Sequence, residues 1–196
     1  MEDPVPVRVR EYAEQAVEYV RRSVGLALEY DSDTLPLLDH YLRSVQGSAP
    51  EAMRLVIATA GAYFGEVVRR RLGGRWELLP GVEEAEWRVV LPTGLNFSPL
   101  GFAAAAIAQS EVEEFDSEFE APARMRPYVE QTLARMGEVP VEEYYGLCNR
   151  LDTLEHVHEV LVAVAAQMLG ATTDPEAEPG DDVPVPVADE PSGGVN

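Results

Sequence analysis

The densest group of side chains able to do chemistry lies near the C-terminal end of the sequence, in a segment with helical spacing. It comprises Asp152, Glu155, His156, His158 and Glu159. Glu155 and His158 form a Glu-x-x-His pair, which supplies half of the carboxylate–histidine site of di-iron helical bundles. A complete site needs a second such pair, and His40 has no glutamate three residues before it. We therefore predict that His158 is a hydrogen-bonded packing residue, with metal binding or an enzymatic use of Glu155, His158 and Glu159 as the alternative.

Cys148 is the only cysteine, so one chain can form neither an intramolecular disulfide nor a cysteine-based zinc cage. A nucleophilic cysteine needs a nearby base and an electropositive setting, and no thiol-enzyme signature surrounds this residue. We predict a buried structural cysteine. The sequence thus gives no catalytic residue, no metal ligand set and no cofactor.

Two patterns in the third predicted helix favour architecture over chemistry. Gly61 and Gly65 lie four residues apart, which predicts close packing against a neighbouring element. Arg69, Arg70 and Arg71 form the basic cluster of the sequence, and basic side chains at a helix C-terminus stabilise the helix dipole. We favour that structural role for the arginines, with an anion or partner site as the alternative.

Residues 111–120, called here the acidic segment, contain six carboxylates interrupted by Val112, Phe115 and Phe119. Mutual repulsion predicts a loosely held region unless a basic partner or a cation compensates the charge. The spacing is not that of a calcium-binding loop. Either the phenylalanines pack on the core beneath a solvated acidic face, or they anchor a basic partner inside an acidic rim. The second interpretation gives the predicted partner-binding residues Glu111, Glu113, Glu114, Phe115, Asp116, Glu118 and Phe119.

The overall charge excludes several classes of function. The 196 residues include 35 acids and 15 bases, a net charge of −20, and every base is an arginine. The absence of lysine excludes Schiff-base lysine catalysis and a P-loop lysine. Strong negative charge argues against binding to nucleic acid or to anionic membranes.

The sequence has neither a signal-peptide pattern nor an apolar run long enough to cross a bilayer, so we expect a cytoplasmic protein without membrane insertion.

Composition divides the chain into two parts. Residues 174–196 contain seven acids, five prolines and no aromatic residue, which predicts a disordered acidic tail. The remaining residues, 1–173, are predicted to form a single domain that still carries an excess of 13 acids.

Hydrophobic periodicity predicts an α+β fold in which helices pack on a small antiparallel sheet. Helices are expected over residues 9–24, 34–45, 50–72, 99–108 and 123–136, followed by one long helix after Pro140. A capping box from Ser48 to Glu51 is expected to start the third helix. Short strands are expected at 26–30, 76–78, 87–91 and 95–97.

Two stretches carry a resemblance to other proteins. One runs from Leu26 to His40, and the other from Ala60 to Trp76, ending in Leu-Gly-Gly-Arg-Trp. Over residues 24–100 the chain resembles small uncharacterised bacterial proteins of high-GC genomes, in which a helix ending in Leu-Gly-Gly-x-Trp precedes short strands. The resemblance implies an α+β fold and brings no catalytic residue, cofactor or partner.

These observations together predict a non-enzymatic, acidic, cytoplasmic protein of the immunity or regulatory type. Its expected partner is a basic or partly apolar protein. A self-assembling structural subunit, such as a homodimer that buries amphipathic helices, is a further alternative.

Overall fold

The computed structural model describes residues 5–78 and 84–172, and over these ranges it confirms the predicted α+β class. The helices are α1 (Val7–Val24), α2 (Leu35–Ser44), α3 (Pro50–Leu72), α4 (Pro99–Ala108), α5 (Arg126–Met136), α6 (Val141–Tyr144) and α7 (Leu147–Thr172). The strands are β1 (Arg75–Glu77), β2 (Arg88–Val90), β3 (Asn96–Phe97) and β4 (Phe119–Glu120). The predicted tail, 174–196, lies outside the described residues. No helix in the described ranges combines the length and the apolar character that a bilayer crossing requires.

Helix α3 lies at the centre of the fold. Every residue from Val56 to Val68 is buried, whereas a surface helix buries only one stripe. Helices α1 and α4 pack against it more extensively than any other helices do. A Cβ atom at Gly61 would lie 2.7 Å from the Cα atom of Leu100 in α4, and one at Gly65 would overlap the indole ring of Trp76. The close packing predicted for this glycine pair is confirmed.

The ends of the helices follow local sequence signals in two cases and depart from the predicted signal in a third. Gly73 ends α3 in the left-handed conformation, with φ of 72°, and the Ser98 hydroxyl accepts a 3.1 Å hydrogen bond from the Gly101 amide at the start of α4. The end of α3 and the start of α4 agree with the predicted helix ranges. The capping box is wrong: the Ser48 hydroxyl donates to the carbonyl of Val45 at 2.7 Å, because the preceding helix end offers an acceptor nearby.

The sheet is an antiparallel meander in the order β1-β2-β3-β4. Its register places Trp76 opposite Val89, Val89 opposite Phe97, and Phe97 opposite Phe119. The ring of Phe97 stacks on Phe102 of α4 with centroids 5.0 Å apart, which joins the sheet to the helical layer. This cross-strand row fixes Phe119 at the sheet edge, inside the acidic segment.

Two predicted elements differ from the structure. Residues 26–30 form no strand, because Tyr30 has a left-handed backbone (φ of 59°) and its amide donates to the Tyr63 hydroxyl at 2.8 Å. The predicted long helix after Pro140 is divided into α6 and α7. The division follows from Asp39 of α2, whose buried carboxylate accepts hydrogen bonds from the amides of Leu147 and Cys148 and so starts a new helix there.

Candidate functional site

The acidic segment lies on the surface as an irregular loop that ends in β4. Its glutamates Glu111, Glu113, Glu114, Glu118 and Glu120 are exposed. Phe115 and Phe119 are half-buried and pack against the core. The structure therefore brings the predicted partner-binding residues together on one loop, with carboxylates outward and rings partly inward.

The acidic segment is fastened to the fold by contacts with neighbouring elements. Arg88 of β2 donates to the Asp116 carboxylate at 2.6 Å, and the other carboxylate oxygen accepts from the Glu118 amide at 2.9 Å. The backbone of Asp116 also contacts Gly101 of α4 so closely that a Cβ there would overlap it. An internal arginine thus compensates part of the repulsion that the sequence implied. Asp116 forms this anchor, and its predicted contact with a partner stays a prediction.

A groove of about 550 Å³ runs between the acidic segment, α5 and the start of α7. We call it the α5 groove. Its apolar wall consists of Phe119, Val129, Leu133 and Tyr144. Its carboxylates are Glu111, Glu118, Glu120 and Glu130. A second cavity of about 400 Å³ adjoins it and shares Phe119, Leu133, Tyr144 and Arg150. Both volumes lie within the range of ligand-binding pockets.

Arg150, in the first turns of α7, lines both cavities and is only 6 % exposed. Its guanidinium carbon lies 4.9 Å from the ring centre of Phe102, 4.6 Å from Tyr144 and 5.6 Å from Tyr145. Its Nε atom is shielded from solvent and has no hydrogen-bond partner among the described residues. No described carboxylate forms an ion pair with it.

Sequence reasoning missed Arg150 as a functional residue. The only signal was its position among aromatic residues, five or six positions after the Tyr144–Tyr145 pair. Arg150 packs against Phe102 of α4, which is distant in sequence. Leu133, Met136 and Tyr144 are more than one-third exposed beside the groove and had also not been assigned a role.

The candidate metal ligands of α7 contact different neighbours and do not converge on one site. Glu155 forms an ion pair with Arg71 of α3, and His158 shares a 3.0 Å hydrogen bond between its Nδ1 atom and the hydroxyl of Thr93. Glu159 is exposed. Across 5–78 and 84–172, no three histidine, cysteine, aspartate or glutamate side chains come together in a way that could hold a metal ion. The hydrogen-bonded role predicted for His158 is confirmed.

Cys148 is half-buried at the start of α7. Burial raises the pKa of its thiol, and the nearby Asp39 carboxylate raises that pKa further. The thiol therefore stays protonated at neutral pH, which suits the structural role predicted for it.

The three arginines at the end of α3 share two carboxylates within the protein. Arg69 donates to the buried carboxylate of Glu66 at 2.9 Å, and Arg70 lies 3.4 Å from the same carboxylate. Arg71 pairs with Glu155. Each arginine thus has an acidic partner, which favours the structural interpretation of this cluster.

Comparisons with protein families, with curated proteins and with solved structures find no match to this chain. The fold and the groove are therefore the basis for any statement about function.

Proposed function

We propose that this chain is a non-enzymatic, cytoplasmic binding protein that engages a basic, partly apolar segment of another protein in the α5 groove. The observation that carries the proposal is the composition of the groove. The groove contains four carboxylates, those of Glu111, Glu118, Glu120 and Glu130. They outnumber its two arginines, Arg126 and Arg150, and Leu133 and Tyr144 of its apolar wall are exposed.

Electrostatics supports this class of partner. The net charge of −20 attracts basic proteins over long distances and repels nucleic acid and anionic lipid. Acidic groups at an interface rim accelerate association and select against acidic competitors. Exposed apolar side chains supply the affinity, and Leu133, Met136 and Tyr144 lie beside the groove for that purpose.

The proposal is tested with labelled peptides of equal length and three compositions: arginine with leucine, glutamate with leucine, and serine with glycine. Fluorescence anisotropy at low and high salt measures their binding. We expect only the arginine–leucine peptide to bind, and we expect salt to weaken that binding because exposed charges are screened within about 10 Å at 0.1 M. Equal binding of all three peptides, or binding of none, would refute the proposal.

Two matched triple variants test whether the peptide binds in the α5 groove. Glu111→Gln, Glu118→Gln and Glu120→Gln together should weaken binding by about tenfold or more, equivalent to about 1.4 kcal/mol. The control variant removes the same charge from exposed positions elsewhere, through Glu11→Gln, Glu14→Gln and Glu51→Gln. If both variants weaken binding equally, the effect belongs to net charge and not to the groove.

A further inference from the structure

We propose that Arg150 receives the C-terminal carboxylate of a peptide that enters the α5 groove. The inference rests on the proposed function. It specifies the chemical group of the peptide, a terminal carboxylate, that binds at the buried end of the groove. It is carried by an arginine that is 6 % exposed, has no described ion-pair partner and lines the groove.

A buried, unpaired guanidinium requires an explanation. Buried charges in proteins are normally paired or bound to a ligand, because removing a charge from water is costly. The rings of Phe102, Tyr144 and Tyr145 compensate Arg150 only in part, since aromatic faces attract a cation but accept no conventional hydrogen bond. Its Nε–H is left without an acceptor. An anionic ligand in the groove would supply the missing opposite charge.

The surroundings favour a carboxylate over a phosphate. Besides Arg150 the groove is lined by one other arginine, Arg126, and by four glutamates. Because the acids are in excess, a doubly charged phosphate meets stronger repulsion than a singly charged carboxylate. The rings pack against the guanidinium within 4.6 to 5.6 Å, and a planar carboxylate can bind a guanidinium edge through two parallel hydrogen bonds.

The position of Arg150 favours a chain terminus. The arginine belongs to the most buried part of the groove lining, whereas the glutamates are at the exposed part. A C-terminal carboxylate can reach the buried part while the preceding residues leave past the rim. An apolar last side chain then contacts Phe119 and Leu133, and basic residues before it face Glu118 and Glu120. Capture of a terminal carboxylate is an established mode of peptide recognition.

The test compares two peptides with the same sequence, arginine-rich and ending in two leucines, one with a free C-terminal carboxylate and one with a C-terminal amide. Isothermal titration with the full chain measures both dissociation constants. We expect the free acid to bind at least about tenfold more tightly, in line with the larger contribution of hydrogen bonds to charged groups. In Arg150→Gln the difference should disappear. In Arg135→Gln, which removes an exposed arginine of α5 outside the groove, it should persist.

The outcomes separate this inference from the proposed function. Equal affinity of the wild-type protein for acid and amide overturns the role of Arg150, and the binding-protein proposal survives if the groove glutamates still matter. Failure of both peptides to bind overturns both proposals.

A third peptide, amidated and carrying one internal aspartate, tests whether the bound carboxylate must be a chain terminus. If this peptide binds as tightly as the free acid, the assignment to a chain terminus is wrong. The comparison of acid with amide uses the wild-type chain, so it holds even if Arg150→Gln fails to fold.

Discussion

The buried carboxylate of Asp39 accepts a 2.8 Å hydrogen bond from the backbone amide of Leu147, the first residue of α7. The second carboxylate oxygen accepts from the next amide, that of Cys148, at 3.1 Å. A side chain of α2 thus caps a helix that begins 108 residues later in the chain. The cap also compensates the positive end of the α7 dipole.

Replacement of Asp39 should therefore destabilise the protein strongly. Asp39→Ala leaves two amides without an acceptor, and we expect a loss of about 2 to 3 kcal/mol from the free energy of unfolding. Asp39→Asn keeps one acceptor and should lose about half as much. Urea unfolding followed by circular dichroism measures both, with the exposed Asp33→Ala as control. If Asp39→Ala is no more destabilising than Asp33→Ala, the cap does not contribute to stability.

Gly61→Ala reverses the effect that alanine normally has in a helix. Alanine is favoured over glycine in a helix interior by about 1 kcal/mol. Here the added methyl group would lie 2.7 Å from the backbone of Leu100, which cannot rotate away. We expect a net loss of about 1 to 3 kcal/mol, measured by urea unfolding. Increased stability would mean that α3 and α4 separate easily, in conflict with the packing described above.

The buried carboxylate of Glu66 should be essential for stability. It is 2 % exposed, pairs with Arg69, and accepts a 2.7 Å hydrogen bond from the indole of Trp76. Glu66→Ala leaves the indole and a mostly buried arginine without an acceptor, and we expect a loss of about 3 kcal/mol. Glu66→Gln retains an acceptor and should lose less. Thermal unfolding compares the two variants, and similar losses in both would show that the charge itself carries the effect.

His158 should make stability depend on pH near neutrality. Burial lowers the pKa of its imidazole below the ordinary value of 6.5, although Glu159 opposes the shift. The unfolded chain then binds more protons than the folded one, so this contribution to stability is present above about pH 6.5 and is lost as pH falls toward the folded-state pKa. Unfolding from pH 5 to 7.5 should show a slope that His158→Gln reduces. The control is His156→Gln, which removes an imidazole from an exposed position of the same helix. A slope that survives in His158→Gln would assign it to another group.

The buried charge of Arg150, which has no ion-pair partner among the described residues, should lower the free energy of unfolding of the free protein. Arg150→Met keeps an unbranched side chain against Phe102 and Tyr144 but removes the buried charge. We expect the free energy of unfolding to rise by about 1 kcal/mol, as found when buried ionic groups are replaced by apolar ones. Arg135→Met should change stability by less than about 0.5 kcal/mol, because that side chain is exposed. A loss of more than about 2 kcal/mol would show that the ring contacts outweigh the cost of the charge.

The parts of the fold that were predicted correctly depend on local signals. Gly73, Ser98 and the periodicity of α3 act within a few residues, so the sequence reveals them. The strand predicted at 26–30 is wrong. Leu26 and Leu28 alternate with other residues as in a strand, but no strand within 5–78 or 84–172 pairs with them. Leu26 is 56 % exposed.

The candidate site was only half visible in the sequence for a related reason. The acidic segment is a composition signal, and its exposed glutamates over half-buried phenylalanines match one of the two alternatives that the sequence left open. Arg150 and Glu130 face the same groove only because α5 and α7 pack beside β4. Whether an arginine is paired depends on every element around it, which no spacing rule within one segment can reveal.

The contact between Gly101 and the backbone of Asp116 has a kinetic consequence for the groove. This contact and the Arg88 ion pair hold the acidic loop in place in the free chain. If the chain binds basic partners as proposed, little conformational entropy is lost when the groove is filled, and binding needs no slow rearrangement of the loop. Differences in affinity among such partners should then arise from their dissociation rates, while charge gives all of them a similar, fast association rate.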